Sequence, residues 1–195
     1  DGEEVALTFH DDGPLAALVF KTTADPFVGR LSYLKVYSGT LKSDSQVWNA
    51  NQEEVVRVGQ VFQVTGKSQE AVEELVAGDI GALAKLASVL TGHTLSDREQ
   101  PMILGDIEFP QPVYLRAVYP KTKADVEKMT TSLARIAEED PSLSVTRGVG
   151  TQVVLLAGLG DTHVGVAAQK MKRKFGLDVL RQAPKIPYRE TIGTC

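Results

Sequence analysis

The chain has 195 residues, 43% hydrophobic and 24% charged, with a net charge of −4. This is the composition of a folded protein that can bury a core as one large or two ordinary domains, and it excludes a disordered chain. No apolar run approaches the roughly 18 residues of a bilayer span, the sequence does not open on a basic-then-apolar signal, and the partners expected include no membrane. Its one cysteine, Cys195, stands at the end, so no intrachain disulfide framework is available and a cytoplasmic location is the simplest expectation. Charge divides unevenly: residues 1–100 hold 8 Lys/Arg against 15 Asp/Glu, or −7, and residues 101–195 hold 13 against 10, or +3. That asymmetry supports two domains and argues against a generic polyanion binder.

From Leu15 to about Ser96 the chain reads as short strands punctuated by turn residues: "PLAALVFKTT", "GRLSYLKVYSGTL", "SQVWNA", "EVVRVGQVFQV" and "GDIGALAKL". Closure of such strands into a small barrel removes exposed edges, so an all-β barrel is expected over residues 1–98. Within it, "VFQVTGKS" (61–68) ends like a phosphate-binding loop, but the position that needs the first glycine holds β-branched Val61, and Gly59 is two places too early. At period two, Val56, Val58, Phe62 and Val64 share one face and Arg57 and Gln63 the other, which predicts a half-buried strand ending in a Thr-Gly-Lys-Ser turn. The acidic "SQEAVEELVAGD" is expected as an extended connection.

Around "SDREQPM" (96–102) the apolar signal lapses, as in a linker. Then follow strand 113–119, a helix from about Lys123 to Glu139, strands 142–147 and 151–158, a helix from about Asp161 to Phe175, and strand 177–183. This β-α-β-β-α-β order over residues 99–184 is the split βαβ arrangement, α+β, with both helices on one side of a four-stranded sheet. Thr122 with Asp125 reads as a helix start, and Val126, Met129, Leu133, Ile136 and Ala137 form an apolar stripe. In the second helix Val164, Ala167, Ala168, Met171 and Phe175 are expected to face inward. Lys172, Arg173 and Lys174 complement the C-terminal dipole, and Gly176 suits a left-handed cap. Strand 151–158 is apolar on both faces, through Val153 and Leu155 and through Val154 and Leu156, so the sheet face without helices requires a cover, another domain or protein. Residues 185–195 read as the start of a further, truncated domain, and the opening "DGEEVALTFHDDGP" also resembles a cut.

No constellation carries catalysis. Gly158-Leu159-Gly160 lies between strand and helix, but the third glycine of a dinucleotide fingerprint is replaced by His163. His10, His93 and His163 are far apart and accompany no metal-ligand spacing, and no nucleophile elbow exists. The expectation is no catalytic, cofactor or metal residue in these 195 positions.

"FKTTADPFVGRLSYLKVYSGTL", "AGDIGAL", "GHTLSD", "EFPQPV", "PKTKADVEKM", "LARIAEEDPSL" and "PYRETI" resemble, in order, the second and third domains of bacterial elongation factor G. The resemblance implies a translation-factor β-barrel followed by a ferredoxin-like domain. It implies a parent GTPase that moves transfer and messenger RNA on the ribosome, with GTP and magnesium held in a domain absent from this sequence. Implied partners are small-subunit ribosomal RNA and protein, and the GTPase and C-terminal domains of the parent chain. This sequence departs from the family where Gly-Met-Gly-Glu-Leu-His-Leu-Glu is usual: it has Gly158-Leu159-Gly160-Asp161-Thr162-His163-Val164-Gly165, and the hairpin near Arg147–Gly150 is altered. A divergent paralogue, a ribosomal protection factor and a ribosome-recycling factor therefore remain alternatives, as does, in a different class, a regulatory module binding a small ligand on its ferredoxin-like sheet. On the barrel, Arg30, Lys35 and Arg57 are the expected RNA contacts, and Asp161 and His163 the expected interdomain contacts.

Overall fold

The computed structural model of the chain describes residues 10–25, 29–66, 68–86, 88–148 and 153–185. Two compact units, residues 1–108 and 109–195, each enclose a separate hydrophobic core.

The first unit is all β. In chain order its strands are β1 (Ala16–Asp25), β2 (Gly29–Ser38), β3 (Leu41–Lys42), β4 (Gln46–Asn49), β5 (Glu54–Arg57), β6 (Val61–Thr65), β7 (Ser68–Val72), β8 (Glu74–Leu75), β9 (Ile80–Ala84) and β10 (Thr94–Ser96). They pair in the order β5-β4-β10-β1-β2-β9-β6-β7, with β3 on β8. Period-two alternation sorts the faces: along β2, Leu34 and Val36 are buried in the core while Tyr33, Lys35 and Tyr37 stand on the outer face.

The segment 43–45 closes the barrel. Ser43 N–H donates to Glu73 O (2.8 Å), Asp44 N–H to Gly59 O (3.0 Å), and Val58 N–H to Ser45 O (2.9 Å), which satisfies backbone groups at both ends of the sheet. The Ser43 hydroxyl accepts from Val61 N–H at 3.0 Å and donates to Val72 O at 2.8 Å, tying β6 and β7 to this segment.

Two expectations change here. Residues 54–64 are not one strand but β5 and β6, because the ladder breaks at 58–60 and Gly59 turns its carbonyl to Asp44. The parity therefore shifts: Val56 and Val58 are buried as expected, but Val61 takes the core position and Phe62 and Val64 are only half-buried. The acidic stretch after it pairs as β7 and β8 rather than merely connecting. Val61-Phe62-Gln63-Val64-Thr65 is barrel strand, and Gly66 turns the chain at φ +62° into β7. Lys67 lies outside the described residues.

The second unit runs β11 (Tyr114–Pro120), α1 (Val126–Glu139), β12 (Ser144–Arg147), β13 (Val154–Gly158), α2 (Asp161–Phe175) and β14 (Val179–Gln182), with a 3-10 turn over Lys123–Asp125. Its antiparallel sheet has the order β12-β13-β11-β14, the ferredoxin-like arrangement. Met129, Leu133 and Ile136 of α1 and Val164, Ala167 and Met171 of α2 bury against Val118, Val154 and Leu156 of the sheet. Val126, expected on the stripe, is exposed, and Ala168 is half-buried. The helix start differs in detail: Thr122 Oγ1 donates to Asp125 Oδ2 at 2.5 Å, so the carboxylate is engaged and neither residue caps the helix through its side chain. At the far end of α2, Gly176 adopts φ +67° and its N–H donates to Lys172 O at 3.1 Å, the left-handed cap that the sequence predicts.

The face of this sheet away from the helices carries Leu115, Leu155 and Leu180, which share it by register through the pairs Ala117–Leu155 and Tyr119–Leu180. Leu115 and Leu180 are exposed. Residues 149–152 of the altered hairpin, residues 1–9, and the tail from 186 onward lie outside the described residues.

Candidate functional site

The turn from β13 into α2 is built around His163. Its Nδ1 accepts the backbone N–H of Leu159 at 3.1 Å, which places the ring proton on Nε2, and Nε2 lies 3.0 Å from Asp140 Oδ2. Asp140 follows the last residue of α1, and its other oxygen, Oδ1, accepts from both the N–H (3.1 Å) and the hydroxyl (2.5 Å) of Ser142. Burial pushes the Asp140 carboxyl up, but the hydrogen bonds from Ser142 and His163 outweigh it and hold the group below the usual carboxylate range. The imidazole thus joins the end of one helix to the start of the other.

That ring also explains the glycine. A Cβ on Gly158 would stand 3.1 Å from His163 Nδ1, 3.1 Å from Val164 Cγ2 and 3.2 Å from Leu143 Cδ2. Glycine at 158 lets these three side chains pack closely at the sheet's end, where a methyl group would crowd all of them. A His–carboxylate pair is also the orienting half of a catalytic base, but here Nδ1 is occupied by the protein's own backbone, so no lone pair is left to take a substrate proton.

Asp161, at the first position of α2, is exposed and faces a second group of side chains. Its Oδ1 accepts from Tyr114 OH at 3.0 Å and lies 3.9 Å from Arg181 NH1, while the Arg116 guanidinium sits 4.7 Å over the Tyr114 ring. Beside it Leu159 is exposed at the tip of the turn. The structure therefore brings Asp161 and His163 together on one turn but gives them different jobs: His163 points into its own domain and Asp161 points out.

The three barrel cations do not form one patch. Lys35 lies on the outer face of β2 with its ammonium 4.9 Å from the Tyr37 ring centroid, near Lys21 over Tyr33 at 5.8 Å. Arg57 is exposed at the end of β5. Arg30 shares the inward parity of Ser32, Leu34 and Val36, and its Nε and NH2 atoms are buried. Inside the same unit the His93 ring accepts from Leu90 N–H and faces Asn49. Among the described residues no group of three His, Cys, Asp or Glu side chains could hold a metal ion.

Tyr114, Arg116 and Arg181 are not singled out by sequence, and Asp140 reads there only as part of the solvated run Glu138-Glu139-Asp140 at a helix end. They meet Asp161 and His163 only through strand register and helix packing, across separations such as 47 and 23 residues. No local motif carries that information.

Residues 14–98 match the family model for elongation factor G domain 2, and residues 109–182 that for elongation factor G, domain III. A crystal structure of a Thermus thermophilus protein is similar with a TM-score of 0.76 and 32% identity, over 91% of this chain. The chain spans 27% of the length of that protein.

Proposed function

The chain is an elongation factor G-like protein carrying that factor's second and third domains, and from that premise we propose that it docks on the ribosome and transmits force in GTP-dependent translocation. In this reading the hydrolysis of GTP belongs to a domain outside these residues, and the two units here make or break no covalent bond. The observation that supports it is the succession of the two folds, barrel then ferredoxin-like, each around its own hydrophobic core.

The surfaces divide accordingly. On the barrel, exposed Arg57 and the half-buried Lys35 are the cations assigned to ribosomal RNA phosphates in this reading, whereas Arg30 buries its Nε and NH2 atoms. On the second unit, the turn at the start of α2 offers Leu159 and Asp161 to a neighbouring domain, on a backbone held by His163. The apolar sheet face with Leu115, Leu155 and Leu180 is the place for a protein cover.

Co-sedimentation of the 195-residue chain with small ribosomal subunits tests the proposal. Binding should weaken as salt rises, and Arg57→Glu should lower both the affinity and the salt slope, by about one ion per phosphate contact. An unchanged slope removes Arg57 from the interface, and absence of binding at low salt removes the ribosome as partner.

A further inference from the structure

His93 closes the turn between β9 and β10 at a junction of three strands. Its carbonyl accepts from Val19 N–H at 2.9 Å, and the preceding Gly92 N–H donates back to Val19 O at 2.7 Å, so the turn is clamped to β1. The side chain reaches the other way, toward β4. Nδ1 lies 3.3 Å from Leu90 N–H and 3.2 Å from Asn49 Nδ2. The Asn49 amide is oriented by its own Oδ1, which accepts Asn51 N–H at 3.3 Å, so Nδ2 faces the ring and can only donate. Two donors converge on one ring nitrogen. Nδ1 must be bare and the proton must sit on Nε2.

The charged groups around the ring come from two other strands. Burial opposes a charge there first, Arg30 of β2 adds to that opposition, and Glu54 of β5 works against both. The net effect holds the ring below the ordinary imidazole titration near 6.5. Asn49 has no exposed surface, so its amide loses its acceptor outright if the ring turns or charges.

We propose that His93 is an acid-sensitive latch of the barrel: protonation at Nδ1 turns an acceptor into a donor, abolishes the hydrogen bonds from Leu90 and Asn49, and frees the turn 90–93 from β4. The sign follows from linkage. The unfolded chain takes this proton more readily than the folded barrel, so the latch contributes fully above about pH 6.5 and is lost as pH falls below that value toward the ring's own lower titration.

Trp48, the chain's one tryptophan, sits beside Asn49 in β4 and reports on this unit. Urea unfolding of the 195-residue chain, followed by Trp48 fluorescence between about pH 8 and about pH 5, is compared with His93→Asn, whose Oδ1 supplies an acceptor at the same place and does not titrate. The wild-type midpoint should fall through the acid range and that of His93→Asn should fall less. Parallel profiles overturn the proposal. If His93→Asn does not fold, the wild-type chain decides alone by NMR: the His93 ring should titrate below about 6.5 with loss of protection at the Leu90 amide, and a titration at or above about 6.5 overturns the latch.

Discussion

The Nε2–H of His163 donates to Asp140 Oδ2 at 3.0 Å, joining the first turn of α2 to the residue that follows α1. Because the same ring accepts Leu159 N–H, one side chain fixes a helix end, a helix start and an exposed turn tip.

Removing that ring should loosen all three. His163→Ala is expected to cost about 1–3 kcal/mol, since it leaves the Leu159 N–H and the Asp140 carboxylate without this partner. Asp140→Ala and the double variant complete a cycle, and the double loss should be smaller than the sum of the single losses. Among the described residues α-helix occurs only in the second unit, so the far-UV helical signal during urea unfolding follows this domain. Strict additivity would mean that the two side chains do not act through each other.

Acid should act on the same pair. The Asp140 carboxyl is held below its ordinary value near 3.8, so its contribution is complete above about pH 3.8 and is lost as pH falls through the lower, folded-state titration. Asp140→Asn removes that dependence. The variant's unfolding midpoint should therefore change less between about pH 5 and about pH 2 than that of the wild-type chain, as read by circular dichroism.

Gly158→Ala tests why the glycine is there. The added methyl meets the His163 ring, Val164 and Leu143 at 3.1–3.2 Å, and the expected destabilisation is about 1–3 kcal/mol by thermal unfolding. Calorimetry with GTP should show no binding by either chain. Tight GTP binding by the wild type that Gly158→Ala abolishes would return this turn to nucleotide chemistry.

In the barrel, Ser43→Ala removes the hydroxyl that accepts from Val61 N–H and donates to Val72 O. A loss of about 1–2 kcal/mol in Trp48-monitored unfolding is expected, because two ladder groups lose a partner at the closure point. Thr40→Ala, whose hydroxyl donates to Asp11 O at an exposed site, should be nearly neutral.

Much of this architecture was legible in sequence because it rests on local rules. The limits of α2 follow from Asp161 at its start and Gly176 at its end, and the alternation Tyr33-Leu34-Lys35-Val36-Tyr37 reads directly as a barrel strand. The break between β5 and β6 was not legible, since Val56, Val58, Phe62 and Val64 keep a formal period of two through a segment whose Gly59 carbonyl is diverted to Asp44. The site was legible by half: a His and an Asp in the first turn of a helix invite attention, but that Asp140 takes the His and Tyr114 takes the Asp is decided by packing across the domain. The inward parity of Arg30 follows from register alone, and an isolated cation in a strand does not announce which face it occupies.

The most direct test of the docking account is competition on the small ribosomal subunit. Fluorescently labelled 195-residue chain is bound to subunits at low salt without nucleotide, and intact elongation factor G is titrated in. The account predicts saturable binding that the intact factor displaces completely. Binding that persists at saturating factor, or no binding at all, contradicts it.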